Sequence, residues 1–212
     1  MLATSFSLLT VLLSVAWAAP HERRQSISSV VQSPPFNLYV TSENATLNGS
    51  YVFAGHSGAA IEQLIIGHNS SASDITKPAY IFNFNSSSAS SYTYENITGP
   101  TGTVVWTLRG SNFNTSQGLG FEYSPFYDDS LLTLGLSTPY LFNFQNDTLV
   151  ATQYSGNRTD PVIVYNNFYS CITAVYQGEG YTYTSLHWKV GSGATAPENT
   201  SCQKVSVKRR FV

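Results

Sequence analysis

The chain has 212 residues, 10 basic and 12 acidic side chains and a formal charge of −2, enough length for one domain with a real core. So small a charge gives no electrostatic footing for nucleic acid or an acidic lipid surface. Two cysteines and four histidines without ligand spacing argue against a metal centre.

In chain order, residues 1–19 come first, with the apolar run Leu8 to Val15 ahead of the small-residue pattern Ala16-Trp17-Ala18. The run is too short to span a bilayer and reads as a secretory signal peptide. Residues 20–24 end in Arg23-Arg24, which predicts a short propeptide cleaved after Arg24. Without residues 1–24, 8 basic and 11 acidic residues remain, a formal charge of 8 − 11 = −3. Residues 25–35 read as a flexible arm, and residues 36–212 as a single all-β domain.

Strands are expected at 36–41, 50–54, 80–84, 102–109, 118–123, 140–144, 147–154 and 161–166, with Gly, Pro, Asn and Ser between them. Tyr169 to Tyr176 and Tyr181 to Val190 form a further pair, joined by the hairpin signal Gln177-Gly178-Glu179-Gly180. In the second of these, Leu186, Trp188 and Val190 share one face, and Ser185, His187 and Lys189 share the presumed outer face. Lys204 to Phe211 alternates in the same way, with Val205, Val207 and Phe211 on one side. Trp106 and Trp188 are expected in the core. The pentapeptides Tyr80-Ile81-Phe82-Asn83-Phe84 and Tyr140-Leu141-Phe142-Asn143-Phe144 nearly repeat, and Phe36-Asn37-Leu38 is a fainter third copy. Three copies suit a trefoil-like arrangement, although aromatic strands ending in Asn-rich turns also look alike. The fold class is therefore all-β, an antiparallel sandwich or barrel.

Asn-x-Ser/Thr occurs at Asn44, Asn48, Asn69, Asn85, Asn96, Asn114, Asn146, Asn157 and Asn199, nine of the fifteen asparagines. With 50 Ser and Thr in the chain, chance places only about 3.5 there, and the excess points to an exported glycoprotein. Cys171 and Cys202 then predict one disulfide that pins the last strand to the body of the domain. The carboxyl end, Lys208-Arg209-Arg210-Phe211-Val212, is charged where a lipid-anchor signal needs an apolar tail, so no membrane anchor is expected.

Gly55-His56-Ser57-Gly58 is the one stretch that hints at catalysis. A nucleophile elbow needs glycine two residues either side of the serine, and Ala59 holds the second of those positions. A triad of Ser57, Asp160 and His187 has the right chain order, but four histidines and many acids make some such triple unavoidable. A serine hydrolase is therefore the remote alternative. A turn at Gly55 to Gly58 is expected instead, leading into a short helix or strand at Ala59 to Ile66 with Ile61, Leu64 and Ile65 buried. Asp128-Asp129 reads as a solvated turn, and Glu62 and Glu122 have no partner that the sequence identifies. Tyr92, Tyr94, Tyr123, Tyr127, Tyr181 and Tyr183 are candidates for stacking on sugar rings.

Phe36-Asn37-Leu38-Tyr39-Val40, Leu47-Asn48-Gly49-Ser50-Tyr51, His56 to Glu62 and the closing Pro197 to Val207 resemble a family of small secreted fungal glycoproteins. More distantly, the closing stretch is similar to the ends of phialide-type fungal cell-wall proteins. Members of this group often carry cysteines near positions 55 and 65, where this chain has Gly55 and Ile65. The resemblance implies an all-β glycoprotein with a disulfide, in or on the cell wall, with no catalytic residues and no cofactor. The expected function is thus a non-enzymatic, structural or surface-interaction role in the fungal wall or extracellular medium. A lectin-like module for wall polysaccharide is the alternative, and the expected partners are wall polysaccharides or other wall proteins.

Overall fold

A computed structural model describes residues 29–87, 97–124, 127–135, 139–153, 162–174, 182–191 and 195–212. Arg24, Asn96, Asn157, Asp160, Tyr92, Tyr94, Tyr181 and the 177–180 loop lie outside these residues, as do the signal-peptide and propeptide segments.

Fifteen strands carry the fold among the described residues. The first seven are β1 (Val30–Gln32), β2 (Phe36–Thr41), β3 (Tyr51–Gly58), β4 (Ile61–Gly67), β5 (Phe82–Ser87), β6 (Gly102–Arg109) and β7 (Asn114–Tyr123). Next come β8 (Asp129–Gly135), β9 (Phe142–Gln145), β10 (Thr148–Gln153) and β11 (Ile163–Tyr165). The chain closes with β12 (Phe168–Ala174), β13 (Thr182–Lys189), β14 (Gln203–Lys204) and β15 (Ser206–Phe211). All the pairings are antiparallel, and ten strands run in a closed ring: β2, β15, β10, β9, β6, β7, β8, β13, β4, β3 and back to β2. The architecture is an antiparallel barrel, and closure removes the open edges that a sandwich would have to protect.

Inward alternation fills the barrel with Phe36, Leu38, Val52, Leu64, Phe82, Leu132, Phe142, Leu149 and Leu186, all withdrawn from solvent. The pentapeptide echo has one structural job in each copy. Phe36, Phe82 and Phe142 point inward, and the asparagine that follows each ties down a loop. Asn37 Nδ2 donates to the carbonyls of Ile75 and Tyr80 at 2.8 and 2.9 Å. Asn83 Nδ2 donates to Ser33 O at 3.1 Å, and Asn143 Nδ2 to Pro100 O at 2.9 Å and Gly99 O at 3.2 Å. Phe144 meets Phe36 and Phe84 edge-on, with ring centroids 5.5 and 5.4 Å apart, so strands from all three copies touch in one aromatic cluster.

Gly102 is the junction of the ring. It lies opposite Ser86 of β5 on one side and Phe142 of β9 on the other. A Cβ there would overlap the Asn85 carbonyl and press on the Phe84 ring. Only glycine lets β5 approach β6 this closely.

Several expectations are corrected. Residues 30–32 are not part of a flexible arm: they form β1, which pairs with β5 in the register Val30↔Ser87 to Gln32↔Asn85. Gly55 to Gly58 is not a turn but the bulged end of β3, because the chain reverses one step later at Ala60, whose φ is +59°. Residues from Ile61 onward are a strand with Leu64 and Ile65 buried, but Ile61 is 41% exposed because it opens the hairpin. Gly55 and Ile65 are neighbours on this hairpin, with the Ile65 side chain lying over the glycine where a second bridge would sit. Asp128-Asp129 is not a solvated turn: Asp129 is buried and opens β8, a strand buried along most of its length. Trp188 is buried as expected, whereas Trp106 is half-buried with its indole N–H donating to Pro78 O at 2.9 Å.

Gly102→Ala is expected to cost about 3 kcal/mol, the upper end for overpacking. Asn143→Ala is expected to cost about 1–3 kcal/mol through orphaned loop carbonyls. Urea unfolding of both variants tests this, and wild-type midpoints would contradict the assigned roles.

Candidate functional site

β13 is the strand on which both candidate sites rest, because it is buried on both faces. Leu186 and Trp188 point into the barrel, while Ser185, His187 and Lys189 point outward and are also covered. The outer position of His187 was correctly placed by alternation, but its exposure was not. The chain returning towards β14 is tied to this face: the Glu198 N–H donates to Asp128 Oδ1 at 2.9 Å, and the Ile172 N–H donates to Ser201 Oγ at 3.0 Å. The Cys171–Cys202 disulfide, predicted from the cysteine count, completes the attachment by joining β12 to the residue before β14.

On the inner side, the barrel end opens into a cavity of about 390 Å³ lined by Tyr123, Tyr140, Gln153, Tyr165, Trp188, Val190 and Gly191. The end residues of β7, β10 and β11 form its rim. Phe121 braces it from below, 5.1 Å from Trp188 and 4.7 Å from Tyr140 between centroids. Phe168 meets Trp188 edge-on at 5.0 Å from the other side, so these two contacts hold the indole. Tyr123, by contrast, is 61% exposed. Burial pushes the Tyr140 phenol above its ordinary pKa, so it stays protonated and able to donate a hydrogen bond. The walls set an aromatic face beside phenol and amide groups that can hydrogen-bond, and the volume lies in the usual range for ligand pockets. Of the tyrosines singled out from the sequence, Tyr123 lies in this cavity, whereas Tyr127 and Tyr183 are exposed elsewhere. Tyr140, Gln153 and Tyr165 carried no signal in the sequence, since only barrel closure brings their strands together.

On the outer side lies a buried polar chain. His187 Nδ1 is 2.5 Å from Asp129 Oδ2, and His187 Nε2 is 2.7 Å from Thr173 Oγ1. His187 is 6% exposed and Asp129 4%. Burial pushes His187 below the ordinary imidazole pKa, against an upward pull from Asp129, so the ring is neutral near pH 7. Asp128 and Lys189 pair beside it, and the Lys189 ammonium holds the Asp128 carboxyl below its usual range. The Sγ of Cys171 also reaches this cluster: the donor atoms of Asp129, Cys171 and His187 all lie within 4.8 Å of one another. No spacing in the sequence showed this gathering, because the three residues come from three strands.

The other chemical candidates do not assemble. Ser57 sits at the β3 bulge with no side-chain hydrogen bond among the described residues, and His187 is engaged by Asp129 and Thr173 instead. Glu62, read as partnerless, is buried beside His56 Nδ1 at 3.1 Å. His68 Nε2 lies 3.1 Å from Thr184 Oγ1. Comparison with protein-family models, curated proteins and solved structures finds no match for this chain.

The depressed His187 pKa has a defined consequence for stability. The unfolded chain takes up a proton as pH falls through about 6.5 while the folded state resists it, so that contribution is fully present above pH 6.5 and is lost on acidification towards the lower folded value. Denaturant unfolding followed from pH 7.5 to 5 should show falling stability, and His187→Asn should flatten the curve. A wild-type profile in that variant would contradict the assignment.

Proposed function

We propose that this chain is a secreted, N-glycosylated barrel of the fungal cell wall or extracellular medium, acting without catalysis by binding sugar rings in the cavity at its open end. The observation that carries the reading is the pairing of a buffered, buried Trp188 wall with an exposed Tyr123 face and the polar groups of Gln153, Tyr140 and Tyr165 around one cavity. A pyranose presents an apolar C–H face and a rim of hydroxyls, which such a cavity can meet by stacking and hydrogen bonding together.

The glycoprotein part of the reading is supported by how asparagines are used. Among the described residues the sequon positions Asn44, Asn48, Asn69, Asn85, Asn114, Asn146 and Asn199 all retain solvent access, whereas the buried asparagines are Asn37 and Asn143, which lie outside sequons. At Asn44 and Asn199 the side-chain carbonyl accepts the backbone N–H two residues on, at 2.9 and 3.1 Å, forming Asx turns on the surface. A purely structural coat protein is the second reading, favoured by the spread of these sequons over well-separated loops and strands.

The test is sedimentation of deglycosylated protein with purified glucan, chitin and mannan, with Trp fluorescence as a second readout. One polymer should bind saturably and change the Trp188 emission. Tyr123→Ala should weaken that binding about five- to tenfold, the worth of roughly 1 kcal/mol of stacking, with unchanged melting temperature. Absence of binding to all the polymers would overturn the sugar-binding reading and leave the structural one.

A further inference from the structure

We infer that opening the Cys171–Cys202 disulfide converts the outer face of β13 into a tetrahedral zinc site formed by Cys171, Cys202, His187 and Asp129. Three donors, Asp129 carboxylate oxygen, His187 nitrogen and Cys171 sulfur, already lie within 4.8 Å of one another, all on buried side chains. Ligands of a tetrahedral zinc are separated by roughly 3.3–3.8 Å, as follows from bonds of about 2.0–2.3 Å, so small side-chain shifts suffice. The fourth donor is bonded to the third in the oxidised protein and becomes available when that bond breaks.

A second observation points into the same place. Asp129 Oδ1 is buried and has no hydrogen-bond partner, although its other oxygen is held by His187. A buried carboxylate oxygen without a donor is costly, and a cation supplies what is missing. The surroundings fit the rest of the coordination chemistry. If Nδ1 binds the metal the ring proton sits on Nε2, where Thr173 Oγ1 at 2.7 Å accepts it as the outer hydrogen bond that orients a ligating imidazole. Two thiolates and a carboxylate around Zn²⁺ leave one net negative charge, and the buried Lys189, directly across from Asp129 in register, lies alongside.

The chemistry balances with an external dithiol. The reductant's two thiols pass two electrons and two protons to the protein disulfide, and the reductant becomes a disulfide. Cys171 and Cys202 then each lose a proton on binding the metal, so two protons are released per zinc. Oxidised and reduced chains thus hold β12 and the residue before β14 together in different ways, one by a covalent bond and one by a metal.

Cobalt(II) titration of the full-length secreted chain, kept reduced with a phosphine that does not bind the metal strongly, tests this. The reduced protein should take up one Co²⁺, with thiolate-to-cobalt charge transfer in the near ultraviolet and the visible bands of a tetrahedral ion, and Zn²⁺ should displace it. The oxidised protein should show none of these. His187→Gln and Asp129→Asn should each weaken binding at least tenfold, and Cys202→Ser should shift the charge-transfer intensity towards that of one thiolate. Circular dichroism covers the case in which reduction unfolds the chain: zinc should then restore the β signal, and failure to restore it overturns the proposal. Co²⁺ uptake without charge transfer, or uptake undiminished by His187→Gln and Asp129→Asn, overturns it as well.

Discussion

The close approach of β5 to β6 at Gly102, the residue through which β6 also meets β9, is a constraint on which this side of the barrel depends. Gly102 pairs with Ser86 of β5 and with Phe142 of β9, and a Cβ there would overlap the Asn85 carbonyl, so glycine lets β5 lie against β6 at the point where β6 meets its ring neighbour β9. Closure in turn fixes the angle at which β7, β10 and β11 end, which determines whether Tyr123, Gln153 and Tyr165 face one another across a cavity. The Phe-Asn pairs serve the same end from the loops. Each phenylalanine fills the barrel, and the next residue hands its amide to a passing loop, so packing and loop position are set by adjacent residues.

Most strands were legible because they are half-buried and alternate, as in β2, β6 and β15. What escaped was whatever is buried on two sides. β8 reads Asp-Ser-Leu-Leu-Thr-Leu-Gly, without alternation, and its acidic start looked like a turn. β13 alternates cleanly, but alternation reports only chemical type, and it cannot tell a polar face covered by later chain from one facing water. His187, Asp129 and Lys189 are polar and buried on the face to which Glu198, Ser201 and Cys202 are tied through Asp128, Ile172 and Cys171, contacts between residues far apart in sequence. β1 was missed for another reason: Val30-Val31-Gln32 is an exposed edge strand too short to show a period.

β13 also brings the cavity and the outer polar cluster into mechanical proximity. Trp188 walls the cavity and the next residue back, His187, anchors the outer cluster, so the indole and the imidazole share one backbone segment. The strand is held by β12 on one side and by β8 and β4 on the other. A change in what links Cys171 and Cys202 therefore acts on β12, the direct partner of the strand that carries the cavity wall.

β15 occupies a position whose consequence is kinetic. Although it is the last strand in chain order, it lies between β2 and β10, pairing with β2 over six residues from Ser206↔Thr41 to Phe211↔Phe36. The ring cannot be completed from the amino terminus onward; it waits for a segment some 165 residues downstream of its first partner. Contacts of such separation make for slow folding. Throughout that interval β2 and the Thr148 end of β10 lack the strand that lies between them, an exposed edge of the kind through which β-rich chains associate with one another before the barrel shuts.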